Sequence, residues 1–355
     1  VKELLVPVFK NGECVYKSPS VMEIRDFCKK ELDTLWDESK RLAYPHETYV
    51  DLSQKLWDMR YELLQKYHYQ EIEVMIQEIY PKVFYPEFRN KKATNKKSFV
   101  LHFEYNKVML IKDALTGEIR LPRFEDLEED DENIYEKSYY VNAVDDEEFY
   151  LVDDIQVPEF GGFYMEGMQV FREFSPQYQA FAAISASQVY RWIKSRKYCG
   201  YCGTVTEKSN TERALICPKC KNIEYPKISP AIIVAIRDGN RLLLTKNVKG
   251  TYKFYALVAG FVEVGESLED AVRREVMEEV GLKVKNIQSY KSQPWSFSDS
   301  LMLAFIADLD GDDKITIQEE ELSEARWFER EDVPVLPFHI SVGHELIQKF
   351  RDGEI

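Results

Sequence analysis

The sequence has no apolar run approaching ~20 residues, so it offers no helix long enough to span a bilayer. Its start, Val1-Lys2-Glu3, shows no secretory pattern. It also lacks an initiator Met, which points to a fragment, a processed chain or a mis-set start. Basic charge is in deficit, with Lys+Arg 47 against Asp+Glu 62 and a net charge of −15. That balance argues against a broad, sequence-independent grip on nucleic acid. It does not exclude one nucleotide at a metal site, where a cation offsets the phosphate charge. Cysteine is sparse, six in 355 residues. Four form two Cys-x-x-Cys pairs, and Cys14 and Cys28 stand alone. Without a secretory signal this reads as a metal site plus two ordinary thiols, and a reducing cytoplasm is the expected compartment. Long internal repeats and low-complexity tracts are also missing.

What is present suits a globular chain. Hydrophobic residues make up 45% and charged residues 31%, enough apolar material for cores in two or three domains. The acidic runs Glu128–Glu132 and Asp145–Glu148 read as solvated loops.

Four segments follow one another. In residues 1–70, Leu4-Leu5-Val6-Pro7-Val8-Phe9 and Val15-Tyr16 flank Asn11-Gly12, a hairpin signal. A helix starting at Ser18 or Ser20 and running to about 42 is expected next, then a second over 52–67. Residues 75–195 are strand-like, with hairpins predicted around Asn106 and around the second acidic run. They close with a helix from Ser175-Pro176 to about Lys194, Ser175 as N-cap and Pro176 at the first helical position. Residues 196–225 carry the cysteine pairs. Residues 226–355 open with a hairpin, Ala231–Ile236 and Arg241–Leu244, about Asp238-Gly239.

Cys199-x2-Cys202 and Cys217-x2-Cys220 are separated by 14 residues. Two-residue gaps let both thiolates of a pair reach one ion, and four thiolates at ~2.3 Å fill a tetrahedral zinc shell. The expected role is therefore structural. Gly200 and Gly203 are expected to permit the tight knuckle turn.

The strongest signal is Gly260-x5-Glu266-x7-Arg274-Glu275-Val276-Met277-Glu278-Glu279-Val280-Gly281-Leu282. Ser267 followed by Asp270 reads as a helix cap, and Gly281 as the C-terminal stop. At ~100° per residue, Glu275, Glu278 and Glu279 fall within roughly 100° of one helix. Val276, Met277 and Val280 lie outside that arc and are expected to face the core. Carboxylates at i, i+3 and i+4 repel one another. They read either as a Glu-rich surface helix or as hard oxygen ligands for Mg²⁺ or Mn²⁺. Downstream, Ser292-Gln293-Pro294-Trp295-Ser296-Phe297-Ser298-Asp299-Ser300 offers flat aromatic faces and hydrogen-bonding groups. It reads either as a loop packed on the core or as a place for a base and ribose.

The helix pattern matches the Nudix box, Gly-x5-Glu-x7-Arg-Glu-U-x-Glu-Glu-x-Gly-U with U aliphatic, at nine constrained positions in 23. With the cysteine pairs, Tyr225-Pro-Lys-Ile-Ser-Pro and the loop from Ser292, residues 75–355 resemble the NADH pyrophosphatase family. That family carries Pro where Ser296 and Ser298 stand. The resemblance implies an α/β/α sandwich with a mixed sheet, a zinc ribbon and a mostly β N-terminal domain. It implies metal-dependent cleavage of the diphosphate of NADH or NAD to AMP and nicotinamide mononucleotide, removal of NAD caps from RNA in some members, and a homodimer. Glu275, Glu278 and Glu279 would hold divalent metal, with Ala259 (through its backbone) and Glu321. Arg274 would pair with Glu278 or Glu266 and orient it; the base is unassigned. Tyr225, the stretch from Gln293 to Ser300 and Gly343 would touch substrate, and Arg172 corresponds to a further substrate-contacting arginine. Cys199, Cys202, Cys217 and Cys220 would bind zinc. Residues 1–68 resemble instead the C-terminal end of nicotinate phosphoribosyltransferase, through Leu5-Val-Pro-Val-Phe, Tyr16-Lys-Ser-Pro-Ser and Tyr49-Val-Asp-Leu-Ser-Gln-Lys-Leu-Trp. Without that enzyme's barrel they read as an inert, α-rich appendage, a fusion remnant or a gene-boundary error, with Met75 a natural start for the pyrophosphatase. A non-catalytic nucleotide sensor is the reading from another class; the intact carboxylate set speaks against it.

Overall fold

The computed structural model describes residues 6–10, 13–17, 79, 82–128, 131, 133–248, 255–334 and 341–355. The chain divides into two compact units, Val1–Glu73 with Val335–His339, and Val74–Pro334 with Ile340–Ile355. In the first, β1 (Val6–Lys10) and β2 (Glu13–Lys17) pair antiparallel with Lys10 opposite Glu13, as the Asn11-Gly12 signal predicts. The two helices expected between residues 18 and 67 lie outside the described residues.

The second unit begins with strands that build two small sheets. One has the order β3 (Phe84–Tyr85), β8 (Ser138–Val144), β9 (Glu147–Val152), β4 (Phe99–Leu101). The other is built from β5 (Phe103–Glu104), β6 (Lys107–Lys112), β7 (Ile119–Arg120) and β10 (Phe163–Gly167). Strand alternation divides the core. On β6, Val108 and Leu110 join one cluster, and Met109 joins the other with Tyr140 and Tyr150. The helix α1 (Gln177–Ser195) covers the first cluster with Ala180, Phe181 and Ile184. It starts one residue later than predicted. Pro176 holds extended angles, φ −75 and ψ 148, so it is the N-cap, and no side chain caps this end.

Short strands β11 (Glu207–Lys208), β12 (Leu215–Ile216) and β13 (Ile223–Glu224) carry the cysteine region. Beyond them β14 (Ser229–Asp238), β15 (Arg241–Asn247), β16 (Val258–Phe261), β17 (Val284–Trp295), β18 (Ser300–Leu309) and β19 (Leu322–Glu329) make one sheet. Its order is β17-β18-β14-β15-β19, with β16 beside β14. β14 and β18 run parallel and the other pairs antiparallel, so the sheet is mixed. The β14–β15 turn falls on Gly239-Asn240, one residue later than predicted, with Gly239 at φ 60.

Two helices flank this sheet. The helix α2 (Leu268–Val280) joins the cluster of Ile232, Val234 and Ile236. On the opposite face, Ile233 meets α3 (Val342–Arg351) at Gly343. Helices on both faces of a mixed sheet give the α/β/α sandwich. The buried valines of α2, 272, 276 and 280, each contribute about 1.5–3 kcal/mol on burial. Among the described residues, no helix is long and apolar enough to cross a membrane.

Candidate functional site

The helix α2 starts and stops as its sequence dictates. Ser267 Oγ accepts from the Asp270 N–H, and Gly281 takes the left-handed C-cap at φ 69. Its buried half is wider than the valines alone. At ~100° per residue Ala271, Glu275, Glu279, Val272, Val276 and Val280 sweep one half-turn, and all six are buried. Met277 lies on the other half with Arg273 and is 43% exposed, which corrects the expectation that it faces the core. The three carboxylates are thus not equivalent. Glu275 and Glu279 are buried, while half of the Glu278 side chain remains in solvent.

Arg274 ties this face together. Its Nε and Nη2 donate to the two carboxylate oxygens of Glu266 at 2.8 and 2.9 Å. Its Nη1 donates to Glu275 at 2.8 Å and to Glu278 at 3.0 Å, and Nη2 also reaches the Phe261 carbonyl. The alternatives of Glu266 or Glu278 as its partner therefore resolve to both, with Glu275 in addition. The guanidinium fork and the Glu263 N–H hold the Glu266 carboxyl down at about 2. Burial, then the charges of Glu275 and Glu321, push the Glu279 carboxyl up to about 8, against a backbone hydrogen bond from Ala259. Burial also raises Glu275, and Arg274 opposes it. Burial thus disfavours the charged form of both carboxyls, and among the described residues these carboxylates do not form a ready-made metal-holding group as the cysteines do.

A cleft of about 480 Å³ opens over this face. Its lining includes Ala259, Arg274, Glu275, Glu278 and Glu321 together with Trp295, Ser298 and Ser300. Sequence reasoning missed several of its walls, notably Phe261, Glu263, Met302 and Gln318. Phe261 follows Gly260 directly and is 56% exposed, an uncovered aromatic that the sequence could not show as such. Gln318 arrives because its N–H pairs with the Glu279 carbonyl at 3.0 Å, which lays residues 316–321 across the end of α2.

The remaining predicted site residues sit elsewhere. Gln293 is fully buried and its Oε1 accepts the Val342 N–H at 2.7 Å, so it anchors the start of α3 and does not face the cleft. Gly343 is buried against Ile233, where a Cβ would come within 2.7 Å of Ile233 Cδ1, and it is not among the cleft-lining residues. Tyr225 is exposed and donates its hydroxyl to Glu212 at 3.2 Å, apart from the cleft walls. Pro294 is exposed and Ser296 buried. Trp295 and Phe297 lie 5.0 Å apart and pack against the N-terminal core, so the loop serves as core contact and cleft wall together. Arg172 stands 5.3 and 4.8 Å from these two ring centroids. Asp299 pairs with Arg191 of α1.

The four cysteine sulfurs all lie within 4.8 Å of one another. Cys199–Cys220 and Cys202–Cys217 are 3.5 and 3.4 Å apart, close to the ~3.8 Å edge of a tetrahedron with 2.3 Å zinc–sulfur bonds. The Cys199 carbonyl accepts from the Gly203 N–H, and the Cys217 carbonyl from that of Lys221. Gly203 and Lys221 hold matching left-handed angles, φ 72 and φ 65; Gly200 has no such angle, so only Gly203 has the expected turn role. The donor set fits a closed zinc site with no position for water.

Residues 227–350 match the NUDIX domain family. They form a Nudix domain. Ahead of it, residues 194–225 match the NADH pyrophosphatase zinc ribbon domain, and residues 1–60 match the nicotinate phosphoribosyltransferase C-terminal domain. Curated relatives include the NAD-capped RNA hydrolases NudC of Enterobacter sp. (strain 638) and of Escherichia coli (strain K12 / DH10B). Each is 48% identical over 161 residues, covering 45% of this chain and 62% of the relative. The chain thus spans less than two thirds of the relatives it matches. A solved Nudix hydrolase from Nitrosomonas europaea aligns at TM-score 0.40 and 25% identity, over 44% of this chain and 92% of that one, a likeness too low to build on.

Proposed function

We propose that the Nudix domain hydrolyses the diphosphate of a dinucleotide, NADH or NAD, to AMP and nicotinamide mononucleotide, using Mg²⁺ or Mn²⁺. The observation that carries this is the mixed lining of the cleft. The carboxylates Glu275, Glu278 and Glu321 line it, and so do Trp295 and the hydroxyl-bearing Ser298 and Ser300. The first set suits a metal-bound diphosphate, the second a flat ring and its ribose.

Glu275, Glu279 and Glu321, with the Ala259 carbonyl, are the donors that would hold metal, and Glu278 stands at the solvent edge. Bound there, divalent metal supplies charge neutralisation of the diphosphate and a more acidic water. The protein's own part is orientation. Arg274 fixes one oxygen each of Glu275 and Glu278 and is itself fixed by Glu266 and the Phe261 carbonyl, so these two carboxylates are oriented before anything binds. We assign the four cysteines a structural zinc, and take the chain to be a cytoplasmic homodimer.

The curated relatives are NAD-capped RNA hydrolases, which favours a second reading, release of NAD caps from RNA. One experiment separates them. The purified chain is incubated with NADH, NAD, ADP-ribose and NAD-capped RNA in Mg²⁺ or Mn²⁺. Preferred AMP release from NADH supports the first reading, and preferred decapping the second. Tight binding with no turnover would make the domain a nucleotide sensor and end both.

A further inference from the structure

The aromatic part of the cleft lining lies at the turn between β17 and β18, whose ends pair as strand with Trp295 opposite Ser300. Residues 295–300 join β17 to β18 with no proline among them. Asp299 adopts a left-handed φ of 57. The Ser229 N–H of β14 donates to the Asp299 carbonyl at 2.8 Å, while the ties inside the turn are short-range. The Ser298 N–H donates to the Trp295 carbonyl at 3.2 Å, and the Ser298 and Ser300 hydroxyls lie 3.1 Å apart.

A tie from far along the chain comes from Arg191 in the N-terminal domain. Its Nε donates to the Asp299 carboxylate at 3.1 Å, and its Nη2 donates to both Asp299 and the Ser296 carbonyl. Its Nη1 donates to Ser187 Oγ at 2.9 Å, one helical turn back, which aims the fork. Arg191 and Asp299 are each about a quarter exposed, so the pair is screened less than a surface pair. One planar group thus clamps a carboxylate and a carbonyl on either side of the cleft-lining Ser298.

We propose that Arg191 is the positioning residue that holds Trp295, Ser298 and Ser300 in the cleft, so that a helix of the N-terminal domain sets the affinity of the Nudix site for its dinucleotide. Its substrate rests on the NAD(H) reading above. Arg191 does not line the cleft, so it acts through Asp299 and Ser296 and leaves the metal side untouched.

The test uses the full chain with Arg191→Met, Arg191→Lys, Asp299→Asn and the Arg191→Met/Asp299→Asn double variant. Amide exchange at residues 296–300, read by mass spectrometry without substrate, should rise at least about tenfold in Arg191→Met, the scale of a lost charge-assisted hydrogen bond. The KM for NADH should rise about five- to twentyfold, with kcat within about twofold. Arg191→Lys should recover part of both effects. The double variant should be no worse than Arg191→Met alone, because both remove one clamp. If Arg191→Met does not fold, Arg191→Lys and Asp299→Asn carry the same comparison. Unchanged exchange, unchanged KM despite faster exchange, or additive effects in the double variant would each overturn the proposal. If wild-type protein turns over no dinucleotide, the function reading falls, while the exchange data still decide whether Arg191 holds the loop.

Discussion

Replacing Gly260 by alanine puts the catalytic reading to its most direct test. Gly260 lies on β16 opposite Ile232, and a Cβ built there overlaps the carboxylate of Glu275. Glycine fits here because the Glu275 side chain occupies the space. An alanine must push that carboxylate aside by about 1 Å or more, and misplacement on that scale costs on the order of 100-fold in rate. The fold has an easier escape, since the obstacle is the end of a side chain and not backbone. Glu275 would lose its 2.8 Å bond from Arg274, worth at most about 1.5–3 kcal/mol. Arg274 keeps Glu266 and the Phe261 carbonyl, so the net loss should be about 2 kcal/mol or less. The expected variant is folded and nearly inactive, with weaker Mn²⁺ binding by calorimetry. Thermal melts, AMP release from NADH and the Mn²⁺ titration check it together. Wild-type turnover with wild-type Mn²⁺ affinity would refute the placement of Glu275 as a metal donor.

Gly343→Ala should behave oppositely. Its Cβ would crowd Ile233, so the expected cost is about 1–3 kcal/mol of stability with little change in KM; a KM increase at unchanged melting temperature would restore it as a substrate contact. The Glu279 carboxyl sits at about 8 against an ordinary 4.5, so the metal-free fold is favoured at low pH and loses stability as pH rises towards 8. At about 1.36 kcal/mol per pH unit this is on the order of 4–5 kcal/mol across that interval. Melts of the metal-free chain should fall from pH 5 to 8.5, and Mn²⁺ should reverse the trend with proton release; a flat profile would show that Glu279 is already ionised. Elemental analysis should find one zinc per chain, and Cys217→Ser, at a fully buried ligand position, should lose it and lower the melting temperature. A zinc-free chain with unchanged melting would make the site dispensable.

The helix α2 was legible to the residue, because its cap, its period and its terminal glycine are all local signals. So was the β14–β15 hairpin to within one residue, since a Gly in a two-residue turn leaves little choice. Met277 was misread because an arc drawn round three acidic residues assumes that charge faces water. Here two of the three are buried with the valines, and the boundary of the buried half moves accordingly. The buried placement of Gln293 was hidden for a related reason. A polar side chain in a loop-like stretch reads as available, yet it lies within β17 and supplies the acceptor that the first turn of α3 lacks. Arg191 could not be seen at all. Its partner lies 108 residues away, and nothing in an amphipathic helix tells an arginine that clamps a distant loop from one that is solvated.

On the proposed function, the electrostatics of the cleft would make a divalent metal a requirement of substrate binding as well as of catalysis. Glu263, Glu275, Glu278 and Glu321 line it, with Glu279 buried behind, and Arg274 is the one cationic side chain among its described walls. That arginine is already committed to Glu266, Glu275 and Glu278 and has no donor turned wholly towards a ligand. A diphosphate entering such a site without cations would meet net repulsion in a partly desolvated space, where charges act more strongly than in water. Binding of NADH should therefore be weak in chelator and strengthen when Ca²⁺, which shares the oxygen-ligand preference, replaces Mg²⁺. Equal affinity for NADH with and without a divalent ion would mean that the diphosphate does not lie against α2, and the carboxylates would then need another purpose.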